Sequence, residues 1–308
     1  MNDHHDPDPT LEPPPPARPE RPAVRTYELT RTFGRLRAVD SVTLDIPRGA
    51  IFGLIGPNGA GKTTTLAMLA TLLLPTSGHV EVAGFDPVTE QREVRRRLGY
   101  MPDVMGVVGD LRVDEYLRFF AAAYQVPSSE HDALVEGLLE LVDLSVKREA
   151  TVDSLSRGMK QRLGLARALV HDPEVLLLDE PASGLDPRAR IELRGLLSEL
   201  RSLGKTILIS SHILAELEDM CTDVAIMEAG RLLASGTPDE IRSRFTQTRV
   251  VRVRLAGGEE TEYEVADDAE QQELLRRLVV EEGLPVLEFK VGRVLEDVFM
   301  QVTTGELQ

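Results

Sequence analysis

One octapeptide constrains this chain more than any other feature. Gly56-Pro57-Asn58-Gly59-Ala60-Gly61-Lys62-Thr63 matches the pattern G-x-x-x-x-G-K-[ST]. It directly follows Ile51–Ile55, a short apolar run that reads as a buried strand. It directly precedes a helix expected over Lys62–Leu73. The glycines let backbone amides turn inward around a phosphate, and the helix N-terminus adds a dipole that favours an anion. Lys62 is expected to reach the β- and γ-phosphates of a nucleotide, the Thr63 hydroxyl to ligate Mg²⁺, and Thr64 to make a further phosphate contact.

A second motif fits the first. Val175-Leu176-Leu177-Leu178-Asp179-Glu180 is an apolar strand whose C-terminal end delivers two carboxylates. In a phosphate-loop enzyme Asp179 holds Mg²⁺, and Glu180 is placed to polarise an attacking water as general base. Further strands are expected at Tyr27–Leu29, Val42–Ile46 and Thr206–Ser210, with a hairpin-like stretch at His79–Gly84. Helices are expected at Glu90–Leu98, through most of 114–150, and at Arg188–Leu203. Strands alternating with helices imply an α/β sheet with parallel strands at its centre.

The two ends differ from this middle. Residues 1–25 are acidic and Pro-rich and read as a disordered or polyproline-II tail, in which His4-His5 has no ordered partner for a metal. Residues 247–308 read as a small α+β accessory domain of ββαβα order. Its strands are Arg249–Leu255, Glu262–Val265 and Val286–Lys290, and its helices Asp268–Glu282 and Val294–Val302. The domain expectation is therefore a tail at 1–25, a nucleotide-binding domain at 26–246 and the accessory unit at 247–308.

Composition narrows the function classes. The formal charge of −16, from 35 basic and 51 acidic residues, argues against a nucleic-acid binder, whose affinity rests on Lys and Arg facing phosphates. One cysteine, Cys221, excludes a disulfide framework and a cysteine-built zinc site. The most apolar stretch, Leu66 to Leu74, is half of the ~20 residues a membrane span needs. The N-terminus lacks the order of a signal peptide, so the expectation is a protein of the cytoplasmic type.

At this point the motifs carry a resemblance. Leu155-Ser156-Arg157-Gly158-Met159-Lys160-Gln161-Arg162 resembles the signature motif of ABC-type ATPases, usually written LSGGQ. Ser183-Gly184-Leu185-Asp186-Pro187 resembles their D-loop, and His212 their switch histidine. Phe33 stands where the family carries an aromatic that stacks on adenine. The order and spacing match over about 27–246. The resemblance implies an α/β fold of the ABC type: a mixed sheet core, an antiparallel β subdomain and a helical subdomain at about 104–160. It also implies ATP and Mg²⁺ as ligands. Two nucleotide domains, in a homodimer or a heterodimer, would sandwich two ATP molecules head to tail. Ser156 and Gly158 of one subunit, with Asp186, would complete the site holding Lys62 of the other, and His212 would contact the γ-phosphate. The function implied is the ATP-hydrolysing subunit of an ABC transporter, peripheral on the cytoplasmic face of the membrane and working on a separate permease. A soluble ABC-type ATPase acting on nucleic acid or ribosomes is the rival reading. The acidic balance weighs against it, as does the separation of 117 residues (179 − 62) between the motifs, too short for long coiled coils.

Two residues depart from the family pattern. Arg157 replaces a signature glycine, and its guanidinium could contact a phosphate or form a surface salt bridge. Asp103, in Gly99-Tyr100-Met101-Pro102-Asp103, stands where the family commonly has Gln; it can accept from a metal-bound water but cannot donate. An acidic residue there, with Leu295-Glu296-Asp297-Val298-Phe299 near the C-terminus, resembles the branch serving ABC-2-type exporters. Tyr116, Phe119, Phe120 and Tyr124 fall mostly on one helical face, as subdomain core or as the lining of a groove for a membrane subunit's helix. His79 and His171 read as surface or capping residues.

Overall fold

The computed structural model describes residues 21–104, 106, 110–213, 217, 220–245, 249–258 and 260–291. His4-His5, the helix expected at 294–302 and the segment 295–299 lie outside these residues. The chain opens with β1 (Val24–Phe33), β2 (Leu36–Ile46), β3 (Ile51–Ile55), α1 (Lys62–Leu69), β4 (Ser77–Val82), α2 (Gln91–Arg97) and β5 (Leu98–Met101). A helical stretch follows, with α3 (Val113–Ala123), α4 (His131–Leu141) and α5 (Arg157–Leu169). Then come β6 (Val175–Asp179), α6 (Pro187–Ser202), β7 (Thr206–Ser211), β8 (Asp223–Glu228), β9 (Arg231–Gly236) and α7 (Pro238–Phe245).

The central sheet runs β5-β6-β7-β3-β8-β9, parallel except for β9 at its edge. Strands β3, β6 and β7 at its centre are buried along their whole length, which is why they read as unbroken apolar runs. Alternation still divides them. Ile51, Ile55, Leu176, Leu178, Ile207 and Ile209 join the core with α3 to α6. Phe52, Leu54, Val175, Leu177 and Leu208 join the opposite core with α1 and the antiparallel sheet β2-β1-β4. One strand layer therefore serves two cores.

Several sequence expectations shift. Ala23 and Val24 are buried in the β1 sheet, so the ordered domain begins before residue 26. The stretch at 77–82 is a strand paired antiparallel to β1, and it closes in a tight hairpin turn of its own, Val82 bridging Phe85 around Ala83-Gly84. Helix α1 stops at Leu69, because Thr71 takes a left-handed backbone (φ 62°). Strands β5, β8 and β9 carry no sequence expectation: β5 is four residues long and abuts a helix, so no periodicity marks it. Helix α5 runs unbroken across residue 160, the expected end of the helical subdomain.

The C-terminal unit is a separate three-stranded antiparallel sheet in the order β11-β10-β12. It consists of β10 (Arg249–Leu255), β11 (Glu260–Val265), α8 (Asp268–Arg276) and β12 (Val286–Val291). Its own core gathers Val251, Val253, Val265, Leu274 and Leu278.

Candidate functional site

Parallel strands aligned side by side bring their C-terminal ends to one edge, the usual place for a ligand in an open α/β sheet. Here β7 lies between β6 and β3, with Asp179 level with Ser210 and Ile55 level with Ser211. The loop after β3, the carboxylates ending β6 and His212 after β7 therefore meet. The Gly56 amide fixes the junction by donating to the Ser211 carbonyl at 3.2 Å.

The glycine loop is built to a tolerance no side chain would meet. A Cβ on Gly56 would sit 2.1 Å from the Met227 carbonyl oxygen. Gly61 has φ +103°, and a Cβ there would sit 2.3 Å from the Ala38 carbonyl oxygen. No side chain caps α1, so its first-turn amides keep no protein acceptor at the N-terminus. Ala60 is buried, with its amide on the Pro57 carbonyl, whereas Asn58 and Gly59 are exposed at the loop tip. Lys62 is 5% exposed; its Nζ donates to the carbonyl oxygens of Gly56 (2.7 Å) and Pro57 (3.3 Å) and lies 3.4 Å from Glu180 Oε1. Thr64 is half-buried on the first turn. A loop shaped by backbone alone with a buried lysine fits a polyphosphate.

The carboxylates differ in setting. Asp179 is buried, and Ser210 Oγ donates to its Oδ1. Burial pushes the Asp179 carboxyl above its ordinary range, opposed by hydrogen bonds from Ser210 and Thr63 and reinforced by the charges of Glu180 and Asp103. A threonine hydroxyl hydrogen-bonded to a buried carboxylate is a hard-oxygen donor pair. Among the described residues no group of three or more His, Cys, Asp or Glu could enclose a metal. This donor set fits Mg²⁺, which takes one or two protein ligands and completes its shell with phosphate and water.

Glu180 occupies the left-handed region (φ 51°), a conformation costing on the order of 1–3 kcal/mol that persists only where the surroundings over-determine it. Its amide donates to both the carbonyl (3.2 Å) and the hydroxyl (3.0 Å) of Ser210. Its carboxylate sits between Lys62 and His212, whose Nδ1 lies 2.8 Å from Oε2. Neither this strain nor the double role of Ser210 has a sequence signal, because a serine at a strand end is common.

Other expected residues stand around this centre. Asp103 is exposed, with its charge within reach of Asp179. The Tyr100 phenol is pushed up to about 12, by burial first and then by the charge of Asp179. Phe33, ending β1, is 45% exposed, with the Arg31 guanidinium 4.5 Å above its ring.

The signature and D-loop residues gather separately around a recess of about 430 Å³ lined by Ser156, Gly158, Gly184 and Asp186 among others. Ser156 caps α5, accepting from the Met159 amide at 3.3 Å. Asp186 caps α6, accepting from the Ala189 amide at 2.9 Å, with Pro187 at the first helical position. Arg157 forms no salt bridge among the described residues; it donates to the Ser183 hydroxyl at 3.1 Å. Ser183 lies within reach because the turn after Glu180 folds back toward the first turn of α5.

The aromatic set on α3 splits. Tyr116 is fully buried core and Phe119 is 57% exposed. Phe120 and Tyr124 line a recess of about 270 Å³ with Leu72, Tyr100 and Arg167. His79 is exposed, as expected. His171 is half-buried rather than exposed and takes the capping alternative: it stacks on Tyr124 (3.8 Å, 7°), and its Nε2 meets the carbonyl of Leu98, the C-cap of α2, at 3.1 Å.

A family model described as ABC transporter matches residues 39–183. The bacitracin transport ATP-binding protein BcrA of Bacillus licheniformis is 36% identical over 301 residues, covering 92% of this chain and 97% of its own. The Nod factor export ATP-binding protein I of Ralstonia nicotianae is 37% identical, covering 79% of this chain and 75% of its own. The probable multidrug ABC transporter ATP-binding protein YbhF of Escherichia coli is 38% identical over 226 residues, and this chain spans only 39% of its length. A solved structure of an ATP-binding subunit of an ABC transporter superposes with a TM-score of 0.67 at 32% identity, covering 72% of this chain and 93% of its own.

Proposed function

Since the chain belongs to the family of ABC transporter ATP-binding proteins, whose domains hydrolyse ATP, we propose that it is the ATP-hydrolysing subunit of an ABC exporter. The observation that carries the reading is the meeting of Lys62, Thr63, Asp179, Glu180 and His212 at the C-terminal ends of β3, β6 and β7. Gly56–Thr64 cradle the triphosphate, and Phe33 offers an exposed ring to the adenine. Thr63 and Asp179 would hold Mg²⁺, with Asp103 near its water shell; the ion supplies neutralisation of charge on the β- and γ-phosphate oxygens. Lys62 exchanges its carbonyl and Glu180 contacts for phosphate oxygens. Glu180 takes the proton of the attacking water, oriented by His212.

Ser156 and Gly158, at the start of α5, would meet the γ-phosphate bound by a second nucleotide-binding subunit, with Asp186 close beside them. The recess of Phe120, Tyr124, Leu72 and Arg167 would receive a cytoplasmic helix of a separate membrane permease, placing this chain on the cytoplasmic membrane face. Among the described residues no helix is long and apolar enough to cross a membrane. The export direction is supported by relatives named for Nod factor export.

Two experiments test this. Glu180→Gln should bind ATP yet hydrolyse it at least tens of times more slowly, by what a general base contributes; near wild-type turnover would remove Glu180 from the role. Affinity purification of the tagged chain from detergent-solubilised host membranes should recover a stoichiometric polytopic membrane protein. Recovery with ribosomes or DNA alone would leave the ATPase and overturn the exporter.

A further inference from the structure

Arg157 stands where the signature motif of the family usually has glycine, and its side chain turns inward to the same chain. Its Nη2 donates to the Ser183 hydroxyl at 3.1 Å. Its guanidinium lies so close over Gly184 that a Cβ there would sit 2.6–2.9 Å from Nη1, Cζ and Nε. One helical turn later Gln161, 9% exposed, donates from Nε2 to the Ser183 carbonyl at 2.9 Å. Ser183 is thus held at both its side chain and its backbone by the first turns of α5. The Ser183 amide in turn donates to the Glu180 carbonyl at 3.0 Å, and the Leu185 amide to the Ala182 carbonyl at 3.2 Å. The turn that α5 grips therefore begins at Glu180, the residue carrying the left-handed strain.

We propose that Arg157 is a positioning residue: it clamps the Ser183–Asp186 turn to the signature helix and so fixes the backbone from which Glu180 projects. Ser210 holds Glu180 from the β7 side, and Arg157 with Gln161 holds the following turn from the α5 side. Only arginine meets the geometry, because a planar fork can lie on a glycine backbone while donating in its own plane, whereas an ammonium is a point donor. The idea rests on the reading that Glu180 is the general base and that Ser156 faces a second subunit's nucleotide. On that reading, α5 joins the groups engaging one ATP to the turn that positions the base acting on the other.

The test is steady-state ATP hydrolysis by full-length Arg157→Gly, Arg157→Lys, Ser183→Ala and the double variant Arg157→Gly/Ser183→Ala. Fluorescent ATP-analogue titration and thermal melts accompany each. Arg157→Gly should lower kcat about tenfold, equivalent to about 1.4 kcal/mol for one charge-assisted hydrogen bond, with KM and analogue affinity within about twofold of wild type. Arg157→Lys should not restore the rate. The double variant should be no slower than Arg157→Gly alone, since both remove one contact. Wild-type turnover in Arg157→Gly, multiplicative effects in the double variant, or a loss of analogue affinity matching the loss of rate would each overturn the proposal. Glu180→Gln run alongside separates two failures. If it keeps turnover, the reading of the site falls and the positioning role with it. If it stalls while Arg157→Gly turns over normally, only the role of Arg157 falls.

Discussion

Ser210 is the most informative residue to perturb, because its one hydroxyl serves both carboxylates. It is completely buried at the end of β7. Its hydroxyl donates to Asp179 Oδ1 and accepts from the Glu180 amide at 3.0 Å. Ser210→Ala leaves the Glu180 amide its second acceptor, the Ser210 carbonyl at 3.2 Å, so that donor stays satisfied. Asp179 loses a donor to a buried carboxylate, a contact of about 1.5–3 kcal/mol. The expected cost is therefore about 2 kcal/mol, and with a urea slope of roughly 2–3 kcal/mol/M the midpoint should fall by about 0.7–1 M. The pH dependence follows from the sign of the Asp179 shift. Burial raises this carboxyl, so the native state holds more protons than the unfolded state between the ordinary Asp value and the native one. The hydroxyl favours the ionised form, so its removal costs most at neutral pH, and the cost shrinks as acid protonates Asp179. Urea unfolding followed by far-ultraviolet circular dichroism at pH 7.5 and 5.5 measures both. A midpoint shift under about 0.2 M, or a cost that grows on acidification, would refute the reasoning.

Gly61→Ala should abolish fluorescent ATP-analogue binding and lower stability by about 2–3 kcal/mol, since it combines a positive φ with a Cβ 2.3 Å from the Ala38 carbonyl oxygen; wild-type affinity and melting temperature would contradict the cradle. His171 donates from Nε2 to Leu98, and its Nδ1 is buried without a partner, so protonation there is resisted, and burial lowers its proton affinity. Below the ordinary histidine value the unfolded chain takes up a proton that the native state refuses, so stability falls as pH drops from about 6.5. His171→Phe should keep the ring stack on Tyr124 and flatten that fall in a melting series from pH 7.5 to 5.5; an unchanged slope would show that His171 does not set it.

The phosphate loop and the Asp179-Glu180 pair were legible in the sequence because their chemistry is local. Eight consecutive residues make a loop that only glycine backbones can close, and four apolar residues before a carboxylate make a buried strand. The helices 91–97 and 187–202 were legible for the same reason, through period and flanking residues. Strand β5, four residues beside a helix, and β9, exposed or half-buried over most of its length, were not, because each owes its form to the sheet it joins rather than to a pattern of its own.

The contacts across the sequence came from the fold alone. The order β6-β7-β3 sets Ser210 against Asp179 and His212 against Glu180, pairs more than thirty residues apart that no spacing announces. Arg157 shows the difference most plainly. Its departure from glycine was visible in the sequence, but a flexible guanidinium has many partners within reach. Its partner was decided by where the turn after β6 returned the Ser183 hydroxyl. By itself the sequence determined which groups this chain brings to the proposed nucleotide site, since those groups sit on local motifs. The tertiary structure decided how they are held, because strand register and turn packing fix distances between segments that the chain's own connectivity leaves free.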